Sequence, residues 1–208
     1  MLYARKIKLN GKDVLVDETQ MVSYREHLNF RRRMLFISGV ITGEVEMHNT
    51  LMAFDTISHE PIMLIITSPG GDLDSTFLFY DTMKFIKSPI ITVGRYCASA
   101  AALLLAAGSK RFLFPHAKVM LHLASGQLAG DAKEIEIQHR QMQTYQNKVI
   151  DILAECGVKK SREEILTDID RNFWLEPQEA IAYGLADEIL MPKIWQEWTK
   201  EGYNDRDR

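Results

Sequence analysis

The chain has 208 residues, 46% of them hydrophobic and 25% charged, with a formal net charge of -3. That length suits one domain with a sizeable core, and so small a net charge gives no basic footprint for nucleic acid. No apolar run approaches the roughly 18 residues of a membrane span, and Cys97 and Cys156 alone make neither a disulfide framework nor a zinc spacing.

Met1–Gln20 mixes acids among its bases and lacks a long apolar run, so it reads as neither a secretion signal nor a transit peptide. A cytoplasmic protein is the expectation, with residues 1–30 set apart as an N-terminal segment. From residue 34 onward short apolar runs alternate with helical patterns. Met34–Ser38, Ile62–Thr67, Ile90–Val93 and Lys118–Leu121 have the composition of strands buried on both faces. Between them, Val45–Ile57 and Leu73–Ile86 space their apolar residues as helices do, with Phe77, Tyr80, Met83 and Phe85 as examples. Ala100–Ala107 is a strong helix former ended by Gly108. Repeated βαβ units follow, and the predicted class is α/β.

Asp131 followed by Glu134 opens a long helix to Cys156, with an apolar stripe through Ile135, Met142, Tyr145, Val149 and Ile152. Such a helix either packs internally or projects toward another subunit. Ser161 with Glu164 starts a further helix, and Pro177 suits the first turn of another, closed by Gly184 before Ile189–Leu190. The tail Lys193–Arg208 carries Trp195, Trp198 and many charges and yields no assignment.

Three places carry reactive potential. Ser68-Pro69-Gly70-Gly71 joins the most apolar strand to a helix, either as a plain tight turn or as a source of N–H groups for an oxyanion. Ser99 stands where a strand yields to a helix, so it is either a helix cap or a nucleophile with the Ala100 N–H as oxyanion donor. His122 alone among the six histidines ends an apolar strand; His27, His48, His59, His116 and His139 lie in contexts that suggest solvated side chains. There is no metal-ligand cluster, no phosphate loop with lysine and no G-x-S-x-G elbow, so neither metal nor cofactor is expected.

Taken together these segments resemble the ClpP peptidase family. The resemblance runs through Ser68-Pro69-Gly70-Gly71 with Tyr80-Asp81-Thr82-Met83, and Ala98-Ser99 with Leu104–Gly108. It continues through Val119–His122, Ala132–Arg140, Asp170-Arg171, and Glu179-Ala180 with Tyr183–Leu185 and Asp187. It covers roughly residues 33–190 in order, and separated motifs in register are more specific than any one. It implies a crotonase-like spiral over residues 31–191 with a protruding handle helix at about 131–156, and a tail at 192–208. It implies a serine endopeptidase with Ser99 as nucleophile, His122 as base, and Gly70 and Ala100 as oxyanion donors. Asp170 and Arg171 fall on ring–ring contacts of stacked heptamers, a tetradecamer. Gly126–Gly130 would border the cleft and pair with an extended substrate. An AAA+ unfoldase would deliver unfolded protein to the chamber.

Departures from the family pattern bear on activity. Asn172 falls where the family has its triad aspartate. Asparagine accepts a hydrogen bond from histidine but supplies no charge, and the same exchange in a serine peptidase costs on the order of 10⁴ in kcat. A working but weak or conditionally active site is therefore expected; Asp168 and Asp170 are candidates to substitute, with nothing in the sequence to select either. Arg95-Tyr96 replaces a glycine-glutamine pair, Ala101 replaces a glycine, and Met63 and Ile65 replace two tyrosines of the unfoldase-docking pocket. The competing readings are an inactive ring subunit mixing with an active ClpP paralogue, a serine-lysine peptidase using Lys110 or Lys118, and a crotonase-type acyl-CoA enzyme.

Overall fold

The computed structural model describes residues 5–9, 12–16, 29–43 and 45–199. Strands β1 (Arg5–Leu9) and β2 (Lys12–Val16) form an antiparallel hairpin. The main sheet holds β3 (Met34–Ser38), β4 (Ile62–Ser68), β5 (Ile90–Ala98) and β6 (Lys110–Leu121), mutually parallel and in that spatial order. Helices α1 (Val45–Ile57), α2 (Leu73–Phe85) and α3 (Ala100–Ala106) supply the crossovers. Late in the chain, β7 (Phe173–Leu175) pairs antiparallel with the end of β6, and β8 (Glu188–Ile189) pairs parallel with its beginning. The α/β class holds.

The apolar runs become central strands because both faces of the sheet are covered. Alternation along β4 divides its side chains between two cores. Ile62, Leu64 and Ile66 join the main core with α1, α2, α3 and the end of the long helix. Met63 and Ile65 join a smaller cluster on the opposite face with Met34, Val93, Phe112 and Leu190. That second face is covered by α7 (Pro192–Thr199), where Trp195 lies 5.9 Å from Phe114 and Trp198 lies 5.2 Å from Phe112. No residue of α7 is itself buried. The tail that gave no assignment thus contains a helix; residues 200–208, like His27, lie outside the described residues.

Two strands are longer than the sequence indicates. β5 continues to Ala98, and β6 begins eight residues before Lys118. Gly94 and Pro115 hide this continuity. An added Cβ at Gly94 would lie 2.8 Å from Leu113 and 2.9 Å from Cys97, so close packing requires glycine inside the strand. Pro115 falls where β5–β6 pairing skips from Gly94↔Leu113 to Tyr96↔Lys118, a slip that spares it a ladder hydrogen bond.

Helix α4 (Ala132–Glu155) starts at Asp131, whose carboxylate accepts from the N–H groups of Lys133 and Glu134. Its C-terminal half packs internally, and its first turns do not. Val149, Ile150, Ile152 and Leu153 are buried, whereas Ile135 and Ile137 in the first turns are exposed. α5 (Arg162–Asp168) carries the full capping box of Ser161 and Glu164. α6 (Pro177–Tyr183) closes on Gly184 at φ 100°, a left-handed cap that glycine adopts freely. His48 is buried rather than solvated, with Nδ1 3.0 Å from Thr82 Oγ1 and its ring beside Phe79. His116 is exposed, but in strand β6.

Candidate active site

Ser99 occupies the single residue between β5 and α3, at φ 56° and ψ -127°. A non-glycine residue in this conformation costs about 1–3 kcal/mol and persists only when its surroundings enforce it. Enforcement comes from both sides. The Ser99 N–H donates to Met120 O at 2.7 Å, and Gly70 packs beneath, where an added Cβ would lie 2.8 Å from Ser99 Cβ and 2.7 Å from Ala98 O. The hydroxyl does not cap α3; its Oγ lies 2.7 Å from His122 Nε2. Between the two readings of Ser99, the geometry excludes the cap.

His122 follows the last residue of β6, half-buried against the helix layer. Burial lowers its pKa from the ordinary histidine value. The imidazole is thereby kept neutral near pH 7, with a lone pair free to accept the serine proton. Among the described residues, no hydrogen bond reaches its Nδ1.

Backbone pairing sets Asn172 nearby without completing a triad. β6 pairs Met120 with Trp174 and Leu121 with Phe173, and the pairing ends there, with His122 and Asn172 each one residue beyond its last pair. The Asn172 side chain is exposed and, among the described residues, makes no hydrogen bond. Asp170 pairs with the adjacent Arg171 at 3.1 Å, and both are exposed. Asp168 is half-buried, with Oδ2 lacking a hydrogen-bond partner among the described residues. It lies beside Tyr183, whose hydroxyl is pushed above its ordinary pKa by burial and then by that carboxylate. The structure brings Ser99 and His122 together and leaves all three candidate orienting groups without a bond to His122.

The glycine turn differs from expectation in one detail. The Gly70 N–H, expected as an oxyanion donor, donates to Ser68 Oγ at 3.0 Å. Gly71, the next residue, lines the cleft instead, together with Ala100. The Ala100 N–H belongs to the first turn of α3, where no intrahelical acceptor exists. The cleft holds about 220 Å³; Ser99, His122 and Gly71 give its polar side, and Leu73, Leu103 and Leu153 its apolar floor. A cavity of this size and lining has room for an apolar side chain.

Contacts from α4 to the segment after His122 went unflagged in the sequence. Gln146 Oε1 accepts from Ala124 N at 2.5 Å, and Gln138 exchanges two hydrogen bonds with Ala129. Their spacing of eight on one helix face was the available signal. Among the described residues no group of three or more His, Cys, Asp and Glu could hold a metal, and no helix is long and apolar enough to cross a membrane.

Comparison with known proteins points to one family. A family model described as Clp protease matches residues 17–193. The chain is 37% identical over 172 residues to the ATP-dependent Clp protease proteolytic subunit 1 of Rhodopirellula baltica, covering 79% of this chain and 74% of that one. It is 38% identical over 169 residues to proteolytic subunit 2 of Chlamydia trachomatis serovar D, covering 76% and 80%. To proteolytic subunit 2 of Pseudomonas aeruginosa it is 33% identical over 164 residues, covering 76% and 81%.

Proposed function

The chain belongs to the Clp protease family, and we propose that it hydrolyses peptide bonds with Ser99 as nucleophile and His122 as general base. The observation that carries this is the 2.7 Å contact between Ser99 Oγ and His122 Nε2 at a backbone position that costs energy to hold. His122 Nε2 takes the hydroxyl proton as Oγ attacks the scissile carbonyl carbon. The carbonyl oxygen becomes an oxyanion, for which the donors are the N–H of Ala100 and that of Gly70 or, while Gly70 is engaged by Ser68, of the cleft-lining Gly71. The same imidazole returns its proton to the leaving amine nitrogen as the C–N bond breaks, leaving an acyl ester on Ser99. Water then repeats the sequence, releasing the carboxylic acid and restoring the hydroxyl.

Substrates on this reading are extended segments of unfolded protein with an apolar residue at the bond cut, since the cleft floor is aliphatic. Asn172, one residue beyond the last β6–β7 pair as His122 is, serves as orienting residue by turning its amide oxygen to the Nδ1–H. The functional form is a cytoplasmic double ring of heptamers, with Asp170 and Arg171 at the ring–ring contact and an AAA+ unfoldase as partner.

The unsupported Nδ1 of His122 favours a second reading, a weakly active or inactive ring subunit that assembles with an active paralogue. Cleavage of a short fluorogenic peptide by the purified, size-checked oligomer, beside Ser99→Ala, separates the two. Turnover lost in the variant supports the peptidase. No turnover by an assembled wild-type ring, with activity restored on mixing with a paralogue, supports the second reading.

A further inference from the structure

The segment after His122 is held along helix α4 by two glutamines. Ala124 N donates to Gln146 Oε1 at 2.5 Å. Ala129 is gripped twice, its N–H donating to Gln138 Oε1 at 3.1 Å and its carbonyl accepting from Gln138 Nε2 at 2.9 Å. Between these clips Met142 lies beside Gly126, its Cε 3.4 Å from where a Cβ would stand. Gln138, Met142 and Gln146 recur every four residues and so form one ridge of the helix.

The spacing fixes the shape of the held chain. Eight residues of α4 rise about 12 Å. The five-residue step from Ala124 to Ala129 spans at most about 17 Å when fully extended. The segment therefore runs antiparallel to α4 and is more open than a helix, in which a five-residue step would rise about 7.5 Å. Residues 125–128 are exposed, and among the described residues their backbone makes no hydrogen bonds. Ala124 and Ser125 line the cleft that holds Ser99. An extended backbone with unused N–H and C=O groups beside a nucleophile is a template for strand addition.

We propose that Gln138 and Gln146 are positioning residues that hold residues 124–129 extended, so that a peptide pairs with this segment and enters the cleft in register with Ser99. The assignment rests on the peptidase reading above. Gln146 acts nearest the chemistry, through Ala124, which stands two residues from His122 in the chain. It nevertheless acts on the wall and not on the base, because β6 and the Leu123 N–H bond to Ile169 O, at 3.1 Å, place His122 independently.

The test compares the wild-type oligomer with Gln146→Met, the double variant Gln138→Met/Gln146→Met, and Gln146→Glu, which keeps an acceptor for Ala124. Three quantities are measured: kcat and KM for an octapeptide, the rate at which a small phosphonyl fluoride modifies Ser99, and amide exchange of residues 124–129. In the methionine variants, octapeptide kcat/KM falls about tenfold further than the phosphonylation rate, mainly through KM. Exchange across 124–129 speeds up, and Gln146→Glu recovers most of the loss. Equal losses for octapeptide and phosphonyl fluoride overturn the proposal, as does a Gln146→Glu variant as impaired as Gln146→Met. Faster exchange with undiminished octapeptide cleavage overturns it too. A wild-type protein inert to the phosphonyl fluoride instead defeats the Ser99 assignment, and the exchange arm still decides whether the glutamines hold the wall.

Discussion

Asn172 and His122 each stand one residue beyond the last β6–β7 pair, yet no hydrogen bond joins the two side chains. The Asn172 side chain is neutral and turned to solvent. A carboxylate at the same position would be drawn to the imidazolium that forms during attack, which an amide is not.

Asn172→Asp is therefore expected to raise kcat at least tenfold, toward the factor of about 10⁴ seen for the charge in this class of site. Steady-state kinetics on an unfolded or short peptide substrate gives the answer. An unchanged kcat would show that another group already supports His122.

The pH dependence follows from the same residue. With burial holding the His122 pKa below its ordinary value of about 6.5, the acid limb of kcat/KM should have its midpoint below pH 6.5. Stability has the matching sign. Between the lowered folded pKa and about 6.5 the unfolded chain binds more protons, so the His122 contribution is present above pH 6.5 and is lost as pH falls through that window. Asn172→Asp should move the kinetic midpoint upward. A wild-type midpoint at or above 6.5 would mean that a negative group faces His122 in the working form.

Gly70→Ala and Gly157→Ala separate crowding from backbone strain. Both glycines have positive φ, at 93° and 86°, but only Gly70 would drive a Cβ into the serine turn; the space at Gly157 is open. Each variant should lose about 1 kcal/mol through strain. Gly70→Ala should lose more, and its kcat should fall on the order of a hundredfold as Ser99 and Ala100 shift. Urea titration beside peptide turnover distinguishes them; equal activity in the two variants would contradict this account of Gly70.

Removing the indoles of α7 tests the cover of the second core. Trp195→Ala/Trp198→Ala should cost about 2–4 kcal/mol through lost apolar burial and aromatic pairing with Phe114 and Phe112. It should also raise binding of a hydrophobic dye, since Met63, Ile65 and Val93 lie beneath. Unchanged dye binding would show that the sheet stays sealed without α7.

Much of this architecture was legible because burial writes itself into short apolar runs. Ser99 and His122 were legible because each sits at the end of such a run. What stayed hidden has local causes. Gly94 and Pro115 interrupt the apolar pattern where neighbouring strands slip register, so β5 and β6 read as fragments. His48 looked solvated because nothing in its own helix shows that its partner Thr82 arrives from α2. Gly70 and Gly71 are indistinguishable as letters, and no spacing shows that the Gly70 N–H bonds the Ser68 hydroxyl. The orientation of Asn172 depends on a side-chain rotation that no spacing encodes. Helix α7 was hidden in a charged tail because its apolar side consists of Ile194 and two indoles at helical spacing.

Two of the three tryptophans, Trp195 and Trp198, belong to that small covering helix, and the third, Trp174, is half exposed on β7. None reports on the main core. Intrinsic fluorescence of this protein is consequently a gauge of the thin side of the sheet. A denaturation curve recorded that way will register the departure of eight residues, and far-ultraviolet circular dichroism is needed to see the rest of the molecule come apart.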